Sequence, residues 1–193
     1  MENQRQRIAA GMISVVVERG YASTTVTQIV AAVGVSRRTF YNYYADKDEA
    51  FFDVYRQVSD FLLDAMAQSG GEEKGGWGVR VRAQLAALLE ALAANPDLAR
   101  FCLGVPPAAG GEIAALYRDF LARLVEVLGE GRPKRARRPA PAAEYGVAGG
   151  LAALILAAVT EDDAEDLATL LPEVAELVLA PYLGREEAAR IAR

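Results

Sequence analysis

Histidine is absent from this chain, and cysteine occurs once, at Cys102. Without histidine, the commonest general base and the commonest ligand of catalytic zinc are both missing. A lone cysteine excludes an internal disulfide and a structural zinc site, and it fits a reducing compartment. Long apolar runs are missing too. The longest, Val147 to Val159, is shorter than a membrane span and contains the pair Gly149 and Gly150. The opening MENQRQRIAAGM has no hydrophobic core followed by a small-residue cleavage site. The expectation is therefore no signal peptide, no membrane partner and a cytoplasmic location. No nucleophile–base pair, glycine-rich phosphate loop or metal-ligand spacing occurs, which leaves an all-helical enzyme or carrier as a remote reading. No catalytic residue, metal or cofactor is expected.

The charge is unevenly spread. The chain carries a formal −5, which argues against a nucleic-acid partner until the distribution is read. Residues 1–47 hold six bases against three acids, whereas residues 140–193 hold three bases against ten acids. A mildly basic head precedes an acidic tail.

Strand-like alternation is scarce, alanine and leucine dominate, and apolar residues recur at spacings of three and four, so the fold class is all-α, with about nine helices. A first helix from about Gln4 to Arg19 buries Ile8, Met12, Val15 and Val16 and ends at Gly20. Val26, Ile29, Val30 and Val33 then mark a short helix capped by Thr24 or Thr25. Gly34 follows at once, and Ser36 caps a third helix of about Arg37 to Tyr43. Two short helices joined by a glycine-containing turn form a helix-turn-helix. Asp46, with Glu49 three residues on, caps a fourth helix that continues to about Gln68. This arrangement places Arg37 and Arg38 at a helix N-terminus, where the macrodipole disfavours cations. An anion meeting them would reverse that cost.

The run ERGYASTTVTQIVAAVGVSRRTFYNYYADKDEAFF resembles the DNA-binding domain of TetR/AcrR-type transcriptional regulators. The matching residues are Gly20, Tyr21, Thr24, Thr25, Val26, Ile29, Gly34, Val35, Ser36, Thr39, Phe40, Tyr41, Tyr43, Tyr44 and Lys47. They cover roughly the first quarter of the chain. Arg38 departs from the pattern, which commonly has glycine there. The resemblance implies a three-helix DNA-binding head over residues 1–48 and a helical ligand-binding and dimerisation body over residues 49–193. It also implies a homodimer on a palindromic operator in double-stranded DNA, released by a small-molecule effector. An activator or a ligand-independent regulator of the same family is the alternative.

On their own chemistry the residues agree with this picture. Ser36, Arg37 and Arg38 are candidate DNA contacts at the start of a recognition helix, and the two arginines occupy its first turn, which meets base edges, where arginine pairs with guanine O6 and N7. Thr39 suits a thymine methyl or a phosphate, and the Tyr41 and Tyr43 hydroxyls suit phosphates. Thr25, Thr27 and Gln28 offer backbone contacts from the second helix. Lys47 matches the family's phosphate-binding lysine. Phe40, Tyr44 and Val35 belong to the core of the head.

In the body, SGGEEKGGWG reads as a flexible connector and GRPKRARRPAPAA as a solvated loop or a second nucleic-acid patch. EDDAED at 161–166 reads as acids at a helix N-terminus or as a cation site. Candidate effector-lining residues are Trp77, Phe101, Cys102, Leu103, Tyr117, Phe120 and Tyr145, and few charges accompany them, so an apolar or aromatic effector is expected. Two final helices, from Glu144 to Val159 and from about Ala164 to Tyr182, would form half of an intersubunit four-helix bundle. Gly149, Leu151, Leu154, Ile155, Leu170, Val174, Leu177 and Val178 would face the partner. Pro172 predicts a kink or a restart in the last of them.

Overall fold

The computed structural model describes residues 2–69, 75–134, 137, 139–160 and 164–193. Among the described residues every regular element is helical. The head comprises α1 (Glu2–Arg19), α2 (Val26–Val33) and α3 (Arg37–Tyr41), followed by the long α4 (Lys47–Ser69). Next come α5 (Gly76–Ala94) and α6 (Pro96–Ala99), a π-helical turn (Arg100–Gly104) and α7 (Val105–Ala109). The chain closes with α8 (Gly111–Gly129), α9 (Pro141–Thr160), a 3-10 stretch (Ala164–Leu170), α10 (Leu171–Leu183) and α11 (Arg185–Ala192).

The chain divides into two compact units. The first is Met1–Ser59 with Asp97–Tyr117, and the second is Asp60–Pro96 with Arg118–Arg193. In the first unit, Ile8, Met12, Val15 and Val16 of α1 are buried, as are Ile29 and Val30 of α2. Gly11 permits the close crossing of α1 and α2, since a Cβ there would stand 2.8 Å from the Ile29 carbonyl oxygen. An aromatic cluster completes this core. The Phe51 ring lies 4.9 Å from that of Tyr21 and 5.1 Å from that of Phe101, and Tyr55 stacks on Phe51 at 6.0 Å. Phe40 and Tyr44 are buried as expected, whereas Val35 is only half-buried.

The π turn has a covalent cause. Pro106 and Pro107 carry no N–H, so the carbonyls four residues earlier, of Cys102 and Leu103, receive no ordinary helical bond. The buried Tyr55 hydroxyl donates to the Cys102 oxygen at 3.0 Å. The stretch PPAAGG is therefore not wholly a break, because α7 forms across both prolines and ends at Gly110.

The second unit buries the leucine stripe of α5 (Leu85, Leu88, Leu89, Leu92) with Phe120, Leu121, Leu124 and Leu128 of α8. Its core also takes in Leu151 and Ile155 of α9 and Val174 and Val178 of α10. Trp77 lies in the first turn of α5, not in a connector, and residues 70–74 of that connector lie outside the described residues. Of the two outcomes foreseen at Pro172, the restart occurs: it sits in the first turn of α10, after 3-10 winding. The acidic run at 161–166 and the basic loop at 132–138 fall partly outside the described residues, at 161–163 and at 135, 136 and 138. By length and composition α9 is apolar and long enough to cross a membrane, which corrects the expectation that no segment reaches that length. Only 28 % of its most apolar stretch is buried within the chain.

Candidate nucleic-acid interface

Local chemistry fixes the turn that presents α3. Thr25 caps α2 in a reciprocal box: its hydroxyl accepts from the Gln28 amide at 3.3 Å, and the Gln28 side chain accepts from the Thr25 amide at 2.8 Å. Gly34 ends α2 in the left-handed conformation, φ +62°, where a Cβ is strained. The Val35 amide then reaches back to Val30 O at 3.1 Å. Arg7 of α1 donates to the Val33 and Gly34 carbonyls, closing the C-terminus of α2 from outside.

Ser36 restarts the chain as α3. Its hydroxyl accepts from the Thr39 amide at 3.0 Å and lies 2.9 Å from the Thr39 hydroxyl. Arg37 and Arg38 follow, both exposed. Among the described residues neither forms an ion pair. Arg37 lies 6.0 Å from the centre of the Tyr41 ring, and Tyr41 is 48 % exposed. Arg37, Arg38, Tyr41 and the more covered Thr39 therefore share one short helix, with exposed Thr25 and Thr27 on α2.

Two expected contacts sit differently. Lys47 is half-buried, donates to the Tyr21 carbonyl at 2.9 Å and lies 4.0 Å from the Tyr21 ring centre, so its ammonium is engaged inside the head. Tyr43 lines a cleft of about 490 Å³ with Asp46, Asp48, Glu49 and Asp53, carboxylates that repel phosphate. Arg5 and Arg56 line the same cleft. Arg5 donates to Asp53 at 2.8 Å, and the Tyr44 hydroxyl donates to the same carboxylate at 2.6 Å. Burial and that carboxylate push the Tyr44 phenol up to about 12. The Arg7 cap and the Arg5–Tyr44–Asp53 network carry no short-range sequence signal, since their members lie 26 to 48 positions apart in the cases of Arg7–Val33 and Arg5–Asp53.

The effector candidates divide between the units. Phe101, Cys102 and Leu103 are buried in the first, where Tyr117 is half-buried. In the second, Phe120 is buried and Trp77 donates its indole N–H to Leu128 O at 2.9 Å. Tyr145 is 40 % exposed on α9, which removes it from any interior lining. Among the expected partner-facing residues, Leu151, Ile155, Val174 and Val178 are buried against their own chain and offer a partner no surface. This corrects that part of the interface. Gly149, Leu154, Leu170 and Leu177 are half-buried. Leu154 and Leu177 line an open groove of about 620 Å³ with Val147, Ala180, Pro181, Glu173, Glu176 and Arg185.

Residues 11–54 match the sequence model of bacterial regulatory proteins of the tetR family. No curated protein matches the chain. Among solved structures, the fatty acid degradation regulator FadR of Bacillus halodurans superposes with a TM-score of 0.77 at 21 % identity, over 90 % of this chain and 97 % of its own. Bacillus subtilis FadR in complex with stearoyl-CoA gives 0.74 at 18 %, over 91 % and 98 %. The tetR regulator TylP of Streptomyces fradiae gives 0.72 at 18 %, over 98 % and 90 %. At these identities the likeness is one of fold.

Proposed function

We propose that the chain, whose residues 11–54 match the tetR family model, is a transcriptional regulator of that family and represses transcription as a homodimer on a palindromic operator. A small apolar or aromatic effector releases it. Residues 1–48 serve as the DNA-binding head and residues 49–193 as the regulatory body.

The exposed pair Arg37 and Arg38 in the first turn of α3 carries this reading. Unpaired guanidiniums at a helix N-terminus are unfavourable in isolation and become favourable against guanine and phosphate. One five-residue helix binds weakly, so two heads reading half-sites roughly 34–36 Å apart are needed. The groove at Leu154 and Leu177 supports a second copy as the partner of α9 and α10.

The test is binding of the purified protein to sites recovered from a genome-wide binding map, measured over a range of salt. Affinity should fall steeply with salt and on addition of an apolar effector. Acyl thioesters belong among the compounds tried, because a regulator of the same fold was solved with stearoyl-CoA. Binding that ignores sequence, or an operator complex indifferent to every apolar compound, would overturn the respective half of the proposal.

A further inference from the structure

One face of α5 carries an unusual sequence of polar groups. Trp77, Arg80 and Gln84 follow at helical spacing and meet the end of α8 and the turn after it. Trp77 and Gln84 serve two of the terminal carbonyls of α8: the indole N–H donates to Leu128 O, and Gln84 Nε2 approaches Val127 O at 3.5 Å. Arg80 lies between them against Gly131. A Cβ on Gly131 would stand 2.7 Å from Arg80 Nη1 and 2.9 Å from Cζ, and Gly131 itself has φ +68°. Glycine at that turn is what admits the guanidinium.

Arg80 Nε is closed off from water and has no hydrogen-bond acceptor. The other half-buried arginines described in the same unit all have acceptors. Arg82 donates to Ala192 O, Arg123 pairs with Asp60, and Arg132 pairs with Glu144. Four residues on from Arg80, the Oε1 of Gln84 is also buried and has no donor, in a residue only 1 % exposed. Turning the amide over does not repair this. It would set two oxygens against each other at Val127 and leave an unpaired N–H in place of the unpaired oxygen. A buried donor with positive charge and a buried acceptor, both unsatisfied, are thus held on successive turns of one helix, each at a standing free-energy cost.

We propose that Arg80 and Gln84 form the polar end of an effector site, taking a ligand with an oxyanion beside a hydrogen-bond donor. This rests on the reading of the protein as an effector-responsive regulator. The oxyanion accepts from the Arg80 guanidinium, and the neighbouring hydroxyl donates to Gln84 Oε1. A hydroxy carboxylate with an apolar tail is the simplest compound that satisfies both. Arg80 is half-buried as a whole residue, although its Nε and the Gln84 Oε1 are themselves closed off from water.

The full-length protein is titrated calorimetrically with 3-hydroxydecanoate, decanoate and decanol, alongside Arg80→Met and Gln84→Met. The hydroxy acid should bind most tightly, and each variant should lose about tenfold or more in affinity, the usual consequence of removing one charge-assisted or buried hydrogen bond. The unliganded Arg80→Met variant should melt at or above the parent's temperature, because it removes an unsatisfied buried group, whereas Gln84→Met also gives up the donor to Val127 O. Decanol binding as tightly as the hydroxy acid would overturn the assignment while leaving an apolar effector intact. So would undiminished binding by both variants, or a crystal structure with the acid bound away from Arg80 and Gln84. Operator binding, measured separately, reports on the wider reading.

Discussion

The Tyr55 hydroxyl reaches across 47 positions of sequence to the main-chain oxygen of Cys102, at 3.0 Å and away from solvent. The bond answers a vacancy created by Pro106, which has no N–H to offer that carbonyl. Tyr55→Phe should therefore destabilise the protein by about 1–3 kcal/mol, the cost of a buried unsatisfied carbonyl. Pro106→Ala restores an N–H at the required position and should offset part of that loss. Denaturant unfolding of both single variants and the double variant gives the coupling directly. Strict additivity would show that the proline and the tyrosine are not linked through this carbonyl.

Among the described residues Arg37 and Arg38 make no ion pair, so replacing them should leave stability untouched and change binding alone. Arg37→Ala should weaken operator binding by about 1–3 kcal/mol, concentrated at a guanine position if it reads a base. An arginine that meets only phosphate would instead lose affinity uniformly and lower the salt slope by about 1. The same measurement on Arg38→Ala assigns the residue that stands where the family commonly has glycine. Operator affinity unchanged in the double variant would remove α3 as the reading helix.

The groove residues of α9 and α10 separate assembly from folding. Leu177→Asp places a carboxylate beside Glu173 and Glu176 in an apolar groove, where a partner would have to bury it. Sedimentation should show a monomer of near-parental stability, with palindrome affinity falling much further than half-site affinity. The control is Val178→Ala, which is buried in its own chain and should lower stability by about 1 kcal/mol or more without changing the subunit count. A dimer surviving Leu177→Asp would place the interface elsewhere.

The head was legible because its signals are local. Thr25, offered with Thr24 as the cap of α2, and Ser36 at α3 stand where caps were expected, and their partners Gln28 and Thr39 each lie three positions on. What the sequence concealed acts over distance. Lys47 looks free in a pattern of charges, and only the fold brings Tyr21 beneath it. In α9 nearly every side chain is apolar, so periodicity carries no phase; Leu151 and Ile155 cannot be told from Leu154 until α10 is in place. Residues 97–117 join the same compact unit as the head, a grouping that no short-range spacing reports. Pro172 left two outcomes open, and the fold chose restart because the carbonyl of Ala168, four residues back, has no N–H to receive from it.

Cys102 supplies a pH test. Its side chain is fully buried, and burial pushes the thiol up from an ordinary 9.0 to about 12. The neutral form is the protonated one, so the folded state holds its proton in a range where the unfolded chain has lost it. The contribution to stability is complete below pH 9 and disappears as pH rises toward 12, at roughly 1 kcal/mol per pH unit from this group. Tyr44, raised in the same direction, adds to the decline above pH 10. Urea midpoints taken at intervals from pH 7 to 11 should hold steady to about 9 and then fall. Cys102→Ala should be less stable at neutral pH through lost packing, yet flatter between pH 9 and 10. At pH 8 the wild-type thiol should react with an aromatic disulfide reagent only as fast as the protein opens, and rapid labelling of the folded protein would contradict its burial.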